Sequence, residues 1–179
     1  MTSIGREEIW NHLDSLTKPA RSLGRLEELA ARLCEVQQTM APQTMPRRIV
    51  LFAGDHGVAA SGVTAWPSEV TRLMIENIRG GGAASSVLAR QTQTELVLID
   101  VGSVGEEISD DGRSGGSTAP VRFRSRKIRP GTRDLSCEPA LSVAEFEQAF
   151  GVGREEAKAA SADGVRVLAA GEMGIGNTT

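Results

Sequence analysis

The chain has 179 residues, a formal net charge of -3, 40% apolar and 24% charged side chains, room for one soluble domain with a real core. Its mild acidic balance and its lack of tyrosine argue against a clustered basic nucleic-acid footprint and against a base-stacking platform. No apolar run approaches the ~20 residues of a membrane span, and the opening MTSIGREEIW carries acids early without an apolar core, so neither a membrane segment nor a secretion signal is expected.

Two helices come first in the reading. Ile9, Leu13 and Leu16 share one face of residues 6–16, and Leu26, Leu29, Ala30, Leu33, Val36 and Met40 share one across 24–40, at helical spacing. Lys18-Pro19 separates the two, because proline disfavours α at the residue before it. Pro42 and Pro46 close the second helix. Three unbroken apolar runs follow at 47–53, 95–101 and 165–170. Runs without alternation predict strands buried on both faces, as in a parallel sheet. Helical patterns lie between them: 67–78, with Pro67 at a favourable first-turn position, 83–91, and 142–162. The last opens on a Ser142/Glu145 capping box and is expected to be interrupted at Gly151 and Gly153. Residues 104–120 are acidic, then rich in Gly and Ser, and read as a loop. Residues 121–128 alternate apolar and basic and read as an edge strand. The alternation predicts an α/β fold, a parallel β-sheet flanked by helices in Rossmann-like three-layer fashion. Cys34 and Cys137 have no metal-ligand spacing and read as two buried thiols of a reducing cytosol.

Candidate chemistry gathers at strand ends. In GEMGIGNTT, 171–179, Gly171, Gly174 and Gly176 permit tight turns. Asn177, Thr178 and Thr179 offer hydrogen-bonding groups where a helix should begin, a suitable place for a phosphate. The spacing is neither a dinucleotide fingerprint nor a P-loop, and an ordinary βα turn stays open. Glu172, at a strand's C-terminal end, could orient a ribose hydroxyl or accept a proton from a heterocycle nitrogen; a solvated loop glutamate stays open as well. In GDHGV, 54–58, Asp55 and His56 raise a metal reading, hence a metallo-phosphohydrolase. His12 is the one other histidine and no ligand cluster accompanies the pair. The reading preferred is a sharp turn held by Asp55, with His56 hydrogen-bonded to backbone or to a neighbouring loop. The three glycines of RGGGAASS, 79–86, read as a helix C-cap before a new helix. In IRPGTRDL, 128–135, Arg129 and Arg133 could meet an anion, or Arg133 could pair with Asp134 at the surface. The chain stops at a loop that should open a helix, so a fragment is expected.

Taken together, LTKPARSLGRLEELA at 16–30, GDHGV, PSEVTRLMIENIRGGGAA at 67–84, LVLIDVG at 96–102, RPGTRDL at 129–135 and GEMGIGNTT resemble the nicotinate-nucleotide–dimethylbenzimidazole phosphoribosyltransferases. The resemblance runs in order from about residue 16 to the last residue. It implies residues 1–45 as N-terminal helices of a small helical domain, and 46–179 as an incomplete α/β nucleotide-binding domain whose C-terminal half is missing. It implies transfer of phosphoribose from nicotinate mononucleotide to 5,6-dimethylbenzimidazole in cobalamin lower-ligand assembly. The setting it implies is a cytoplasmic homodimer without metal or organic cofactor, nucleic acid or membrane. It places the main general base beyond Thr179 and gives Glu172 the role of a second carboxylate near the benzimidazole nitrogen. Met173, with Trp66 and Met74, falls at the base pocket. Gly174, Gly176, Asn177 and Thr178 fall at the phosphate loop. A non-catalytic nucleotide-binding remnant is the alternative.

Overall fold

A computed structural model of the chain describes residues 3–110 and 121–178. The later part of the loop expected at 104–120 and the final Thr179 lie outside the described residues. The chain divides into two compact units, Met1–Thr44 and Met45–Thr179.

The first unit is a helical pair, α1 (Arg6–Ser15) and α2 (Arg25–Gln37). Ile9 and Leu13, one turn apart, bury against Ala31 and Cys34. The stripe read on α2 only partly coincides with this buried face: Leu26, Leu29 and Val36 stay exposed, while Ala30 and Met40 pack on the core of the pair. Lys18 Nζ lies 2.9 Å from the buried Glu27 carboxylate, and the Arg21 guanidinium stacks on Trp10 at 3.7 Å from the ring centre.

The second unit is built on a four-stranded sheet: β1 (Arg47–Gly54), β2 (Thr94–Gly102), β3 (Arg122–Ser125) and β4 (Val167–Met173). The order is β3-β2-β1-β4, and every pairing is parallel. The three apolar runs are therefore neighbours, and the turns after β1, β2 and β4 open on one edge. Leu51 faces Leu98 on one side and Gly171 on the other. Period-2 alternation divides β1 and β2 between two cores. Leu51, Ala53, Leu96, Leu98 and Phe123 meet Ile75 and Ile78 of α3 (Glu69–Arg79) and Ala89 of α4 (Ala84–Gln91). Val50, Val97 and Ile99 meet Val152 of α5 (Val143–Ala162). Helices on both faces make the fold α/β, as the runs predict. Arg48, 4% exposed, ties β1 to Glu95 at 2.5 Å and to Asp163 at 2.7 Å.

Three local expectations are corrected. The helix α5 runs unbroken through Gly151 and Gly153. A mid-helix glycine costs only about 1 kcal/mol, and here the complete Ser142/Glu145 capping box and the burial of Val152 and Ala160 carry the helix past both. The last strand reaches Met173 rather than residue 170, because Leu51, Phe52 and Ala53 supply parallel partners to Gly171, Glu172 and Met173. Cys34 is buried but Cys137 is exposed, since it lies on a surface turn held by Asp134, whose carbonyl accepts the Cys137 amide at 3.0 Å.

The edge strand expected within 121–128 forms over four residues. Its alternation is explicit: Phe123 is fully buried, and Arg122 and Arg124 reach Glu95 and Glu156.

Candidate active site

The turns at the C-terminal edge of the sheet enclose a cavity of about 510 Å³. Phe52, Val101 and Ile128 supply apolar wall; Asp55, His56, Arg129, Glu172 and Asn177 supply polar groups. A pocket at the carboxyl ends of parallel strands is where such sheets hold ligands.

Two buried aspartates organise the strand ends that border the cavity. Asp100, fully buried, accepts hydrogen bonds from the Gly102 amide at 3.0 Å, the Ser103 amide at 2.7 Å and the Ser103 hydroxyl at 2.6 Å. This caps the end of β2. Asp55, 2% exposed, joins four segments. One carboxylate oxygen accepts the Thr71 hydroxyl at 2.5 Å and the other accepts the Val104 amide at 2.7 Å. Its own amide donates to the Gly102 carbonyl, and its carbonyl accepts the Thr132 amide. Burial pushes the Asp55 carboxyl above its usual value, and the Thr71 and Val104 hydrogen bonds oppose the shift.

The expectation that Asp55 holds a sharp turn is met by these bonds. The expectation for His56 is not: its ring lines the cavity, and among the described residues that ring makes no hydrogen bond. The turn is closed instead by Thr132, whose hydroxyl accepts the Gly57 amide at 3.1 Å. For a metal, Asp55 has both oxygens already engaged, and among the described residues no group of three or more His, Cys, Asp or Glu is disposed to hold one.

The last turn carries the other half of the site. Glu172 is on β4, opposite Phe52. The side-chain nitrogen of Asn177 donates to both Glu172 carboxylate oxygens, at 2.8 and 2.7 Å. This bracket requires the chain to fold back within five residues, and two glycines permit it. A Cβ on Gly174 would overlap the Gly54 carbonyl, and Gly176 has φ of +90° against the His56 side chain, a conformation glycine adopts without strain. The Asn177 amide donates to the Gly174 carbonyl at 3.2 Å and closes the turn.

Of the residues singled out from sequence, the structure brings Glu172, Met173 and Asn177 together on the cavity with Asp55 and His56. Gly174 and Gly176 form the turn behind them, followed by the exposed Thr178. Trp66 and Met74 are not among the lining residues. Trp66 is 65% exposed, and Met74 packs on the core beneath α3. Arg129 reaches the cavity, but Arg129 and Arg133 both turn to Glu145, at 3.4 and 2.5 Å. The Arg133 guanidinium, with the Ser142 amide and hydroxyl, holds the Glu145 carboxyl down at about 2. The Arg133–Asp134 surface pair does not form; Asp134 instead accepts from Ser61 and Ser136.

Sequence reasoning did not single out Thr71, Thr132 or Asp100. The value of Thr71 and Thr132 lies in contacts between distant segments, whereas Asp100 bonds the end of its own strand; the available signal was only that each lies in or beside a motif at a strand end or helix start.

A model of the family described as phosphoribosyltransferase matches residues 3–179. The nicotinate-nucleotide–dimethylbenzimidazole phosphoribosyltransferase of Solidesulfovibrio magneticus is 45% identical over 168 residues, which are 94% of this chain and 45% of the relative. The enzyme of that description from Thermus thermophilus is 45% identical over 167 residues, 93% of this chain and 47% of the relative. The crystal structure of CobT from Thermus thermophilus matches with a TM-score of 0.84 at 42% identity, covering 97% of this chain and 49% of that one. The chain thus spans about half the length of the relatives it matches. With the fold, the edge cavity and the matched span in agreement, the chain belongs to the phosphoribosyltransferase family.

Proposed function

We propose that this chain supplies the nucleotide-phosphate and acceptor-base end of a site that moves phosphoribose from nicotinate mononucleotide to 5,6-dimethylbenzimidazole. The observation that carries the reading is the Glu172–Asn177 bracket on an apolar-walled cavity beside a glycine turn. In the reaction a benzimidazole nitrogen forms a bond to C1′ as the bond from C1′ to the pyridinium nitrogen breaks. Nicotinate departs with that electron pair, and the proton on the benzimidazole passes to a base. The products are α-ribazole 5′-phosphate and nicotinate, the former the lower-ligand precursor of cobalamin.

Each element has a place in this chemistry. Phe52 offers a flat apolar face and Met173 a polarizable thioether to a benzimidazole ring. Glu172, its orientation set by Asn177, stabilises the acceptor N–H and takes the part of an auxiliary carboxylate. The main general base is assigned to residues outside this chain. The turn of Gly174, Gly176 and Thr178, closed by Asn177, receives the phosphate, which anchors the sugar while the bases exchange. Residues 46–179 act as the nucleotide-binding portion, and residues 1–45 belong to a small helical domain. The working form is a cytoplasmic homodimer that uses no metal or organic cofactor.

The test is an assay of the complete reading frame containing these residues, with nicotinate mononucleotide and dimethylbenzimidazole as substrates. Formation of α-ribazole 5′-phosphate with matched release of nicotinate is expected. A folded protein that binds neither substrate would overturn the reading.

A further inference from the structure

The Thr71 hydroxyl occupies an unusual position in the second unit. It is fully buried, lies in the first turn of α3, and bonds two groups that belong to other segments. It donates to the buried Asp55 carboxylate at 2.5 Å. It also accepts the backbone amide of Ile175 at 3.0 Å, across 104 residues of sequence. A hydroxyl has one proton and two lone pairs. With that proton committed to Asp55, the lone pairs point elsewhere, and the Ile175 amide takes one. Asp55 thereby fixes the direction in which Thr71 can accept. The other carboxylate oxygen of Asp55 is itself held, by the Val104 amide.

We propose that Thr71 is a positioning residue that clamps the glycine turn 174–178 and so sets the Glu172–Asn177 bracket. The proposal rests on the phosphate and acceptor roles given above to that turn. The clamp is directional. It turns the Ile175 amide inward, out of the set a bound phosphate can use, and holds the turn at Ile175 while the neighbouring Gly174 abuts the Gly54 carbonyl. A turn with two glycines has many conformations to lose, and a buried hydroxyl that selects one lowers the ordering cost at the moment of binding. Valine at position 71 keeps the volume but leaves the Ile175 amide and one Asp55 oxygen without their partner, a larger loss than deleting a neutral bond at the surface. Serine restores both bonds.

The experiment compares Thr71→Val, Thr71→Ser and a control, Ser86→Ala, in the complete reading frame. The Ser86 hydroxyl is buried and bonds the Ile78 carbonyl at 2.8 Å, so its loss probes destabilisation that does not act through Thr71. Two readouts are taken: hydrogen exchange of the Ile175 amide and the affinity for nicotinate mononucleotide. In Thr71→Val the Ile175 amide is expected to exchange about tenfold faster or more, and affinity to fall by a comparable factor. Thr71→Ser returns both towards the unsubstituted values, and Ser86→Ala moves neither selectively. Equal effects in Thr71→Val and Ser86→Ala, unchanged Ile175 exchange, or unchanged affinity despite faster exchange would each overturn the positioning role. Should the valine variant not fold, the unsubstituted protein still decides: an Ile175 amide that exchanges as fast as that of Gly176 contradicts the clamp. Failure of the unsubstituted protein to bind nicotinate mononucleotide would overturn the substrate reading alone, with Ile175 exchange still judging the clamp.

Discussion

The side-chain amide of Asn177 brackets the Glu172 carboxylate, 2.8 Å from one oxygen and 2.7 Å from the other. Both residues are exposed on the cavity rim, so the pair adds little to stability, and in the proposed reaction its part is to aim a charge. Asn177→Ala is expected to change stability by no more than about 0.5 kcal/mol while lowering kcat/KM about tenfold. Glu172→Gln, which keeps the shape but removes the charge, is expected to lower kcat by roughly 10–10² with little effect on nicotinate mononucleotide affinity. Steady-state kinetics beside thermal unfolding checks both variants.

Glycines separate into two kinds here. A Cβ on Gly174 would collide with the Gly54 carbonyl, backbone against backbone, whereas one on Gly151 or Gly153 meets nothing within 4 Å. Gly174→Ala is expected to destabilise by about 3 kcal/mol, at the upper end of overpacking costs. Gly151→Ala and Gly153→Ala are expected to stabilise by about 0.5–1 kcal/mol each, because alanine suits a helix interior better. Urea titrations of the three variants distinguish the two kinds.

Glu145 titrates near 2 in the folded chain, against 4.5 for an unperturbed glutamate, through Arg133 and the Ser142 cap. A carboxylate with a lowered folded value adds stability that is fully present above about 4.5 and lost as pH falls through about 2. The acid limb of stability is therefore expected to lessen in Arg133→Met, which removes the first of those causes. Denaturation midpoints at pH ~6, ~4 and ~3 check the sign: the difference between the two proteins should shrink as pH falls.

The sheet was legible in the sequence because it is written in local terms. Unbroken apolar runs mark strands covered on both faces, and the alternation of Val121 and Phe123 with the basic residues around them marks an edge. The Ser142/Glu145 cap was legible for the same reason. What did not show was non-local. Thr71 and Ile175 are joined across 104 positions, and nothing near either residue announces the other. Arg129 and Arg133 looked available to an anion until α5 brought Glu145 to both. Trp66 fell within a stretch assigned to the base pocket, yet it is exposed away from the cavity lining. A strand's end is equally hard to read: GEM looks like a loop until β1 offers it hydrogen bonds.

Residues 1–179 made alone are expected to show no measurable transfer. The main base is assigned outside them, and loss of such a group typically costs ~10²–10⁴ in rate. They are also expected to be poorly stable and prone to associate, because β4 is an edge strand with Leu168 44% exposed, the kind of edge that templates pairing. Product analysis and light scattering on this chain, beside the complete reading frame, test both expectations.

The most direct measurement is a crystal structure of the complete protein with nicotinate mononucleotide bound. The account predicts the phosphate against the backbone of the turn 174–178, the nucleotide in the cavity beneath Glu172 and Met173, and Asn177 still donating to the Glu172 carboxylate. A phosphate held elsewhere, with this turn unliganded, would contradict it.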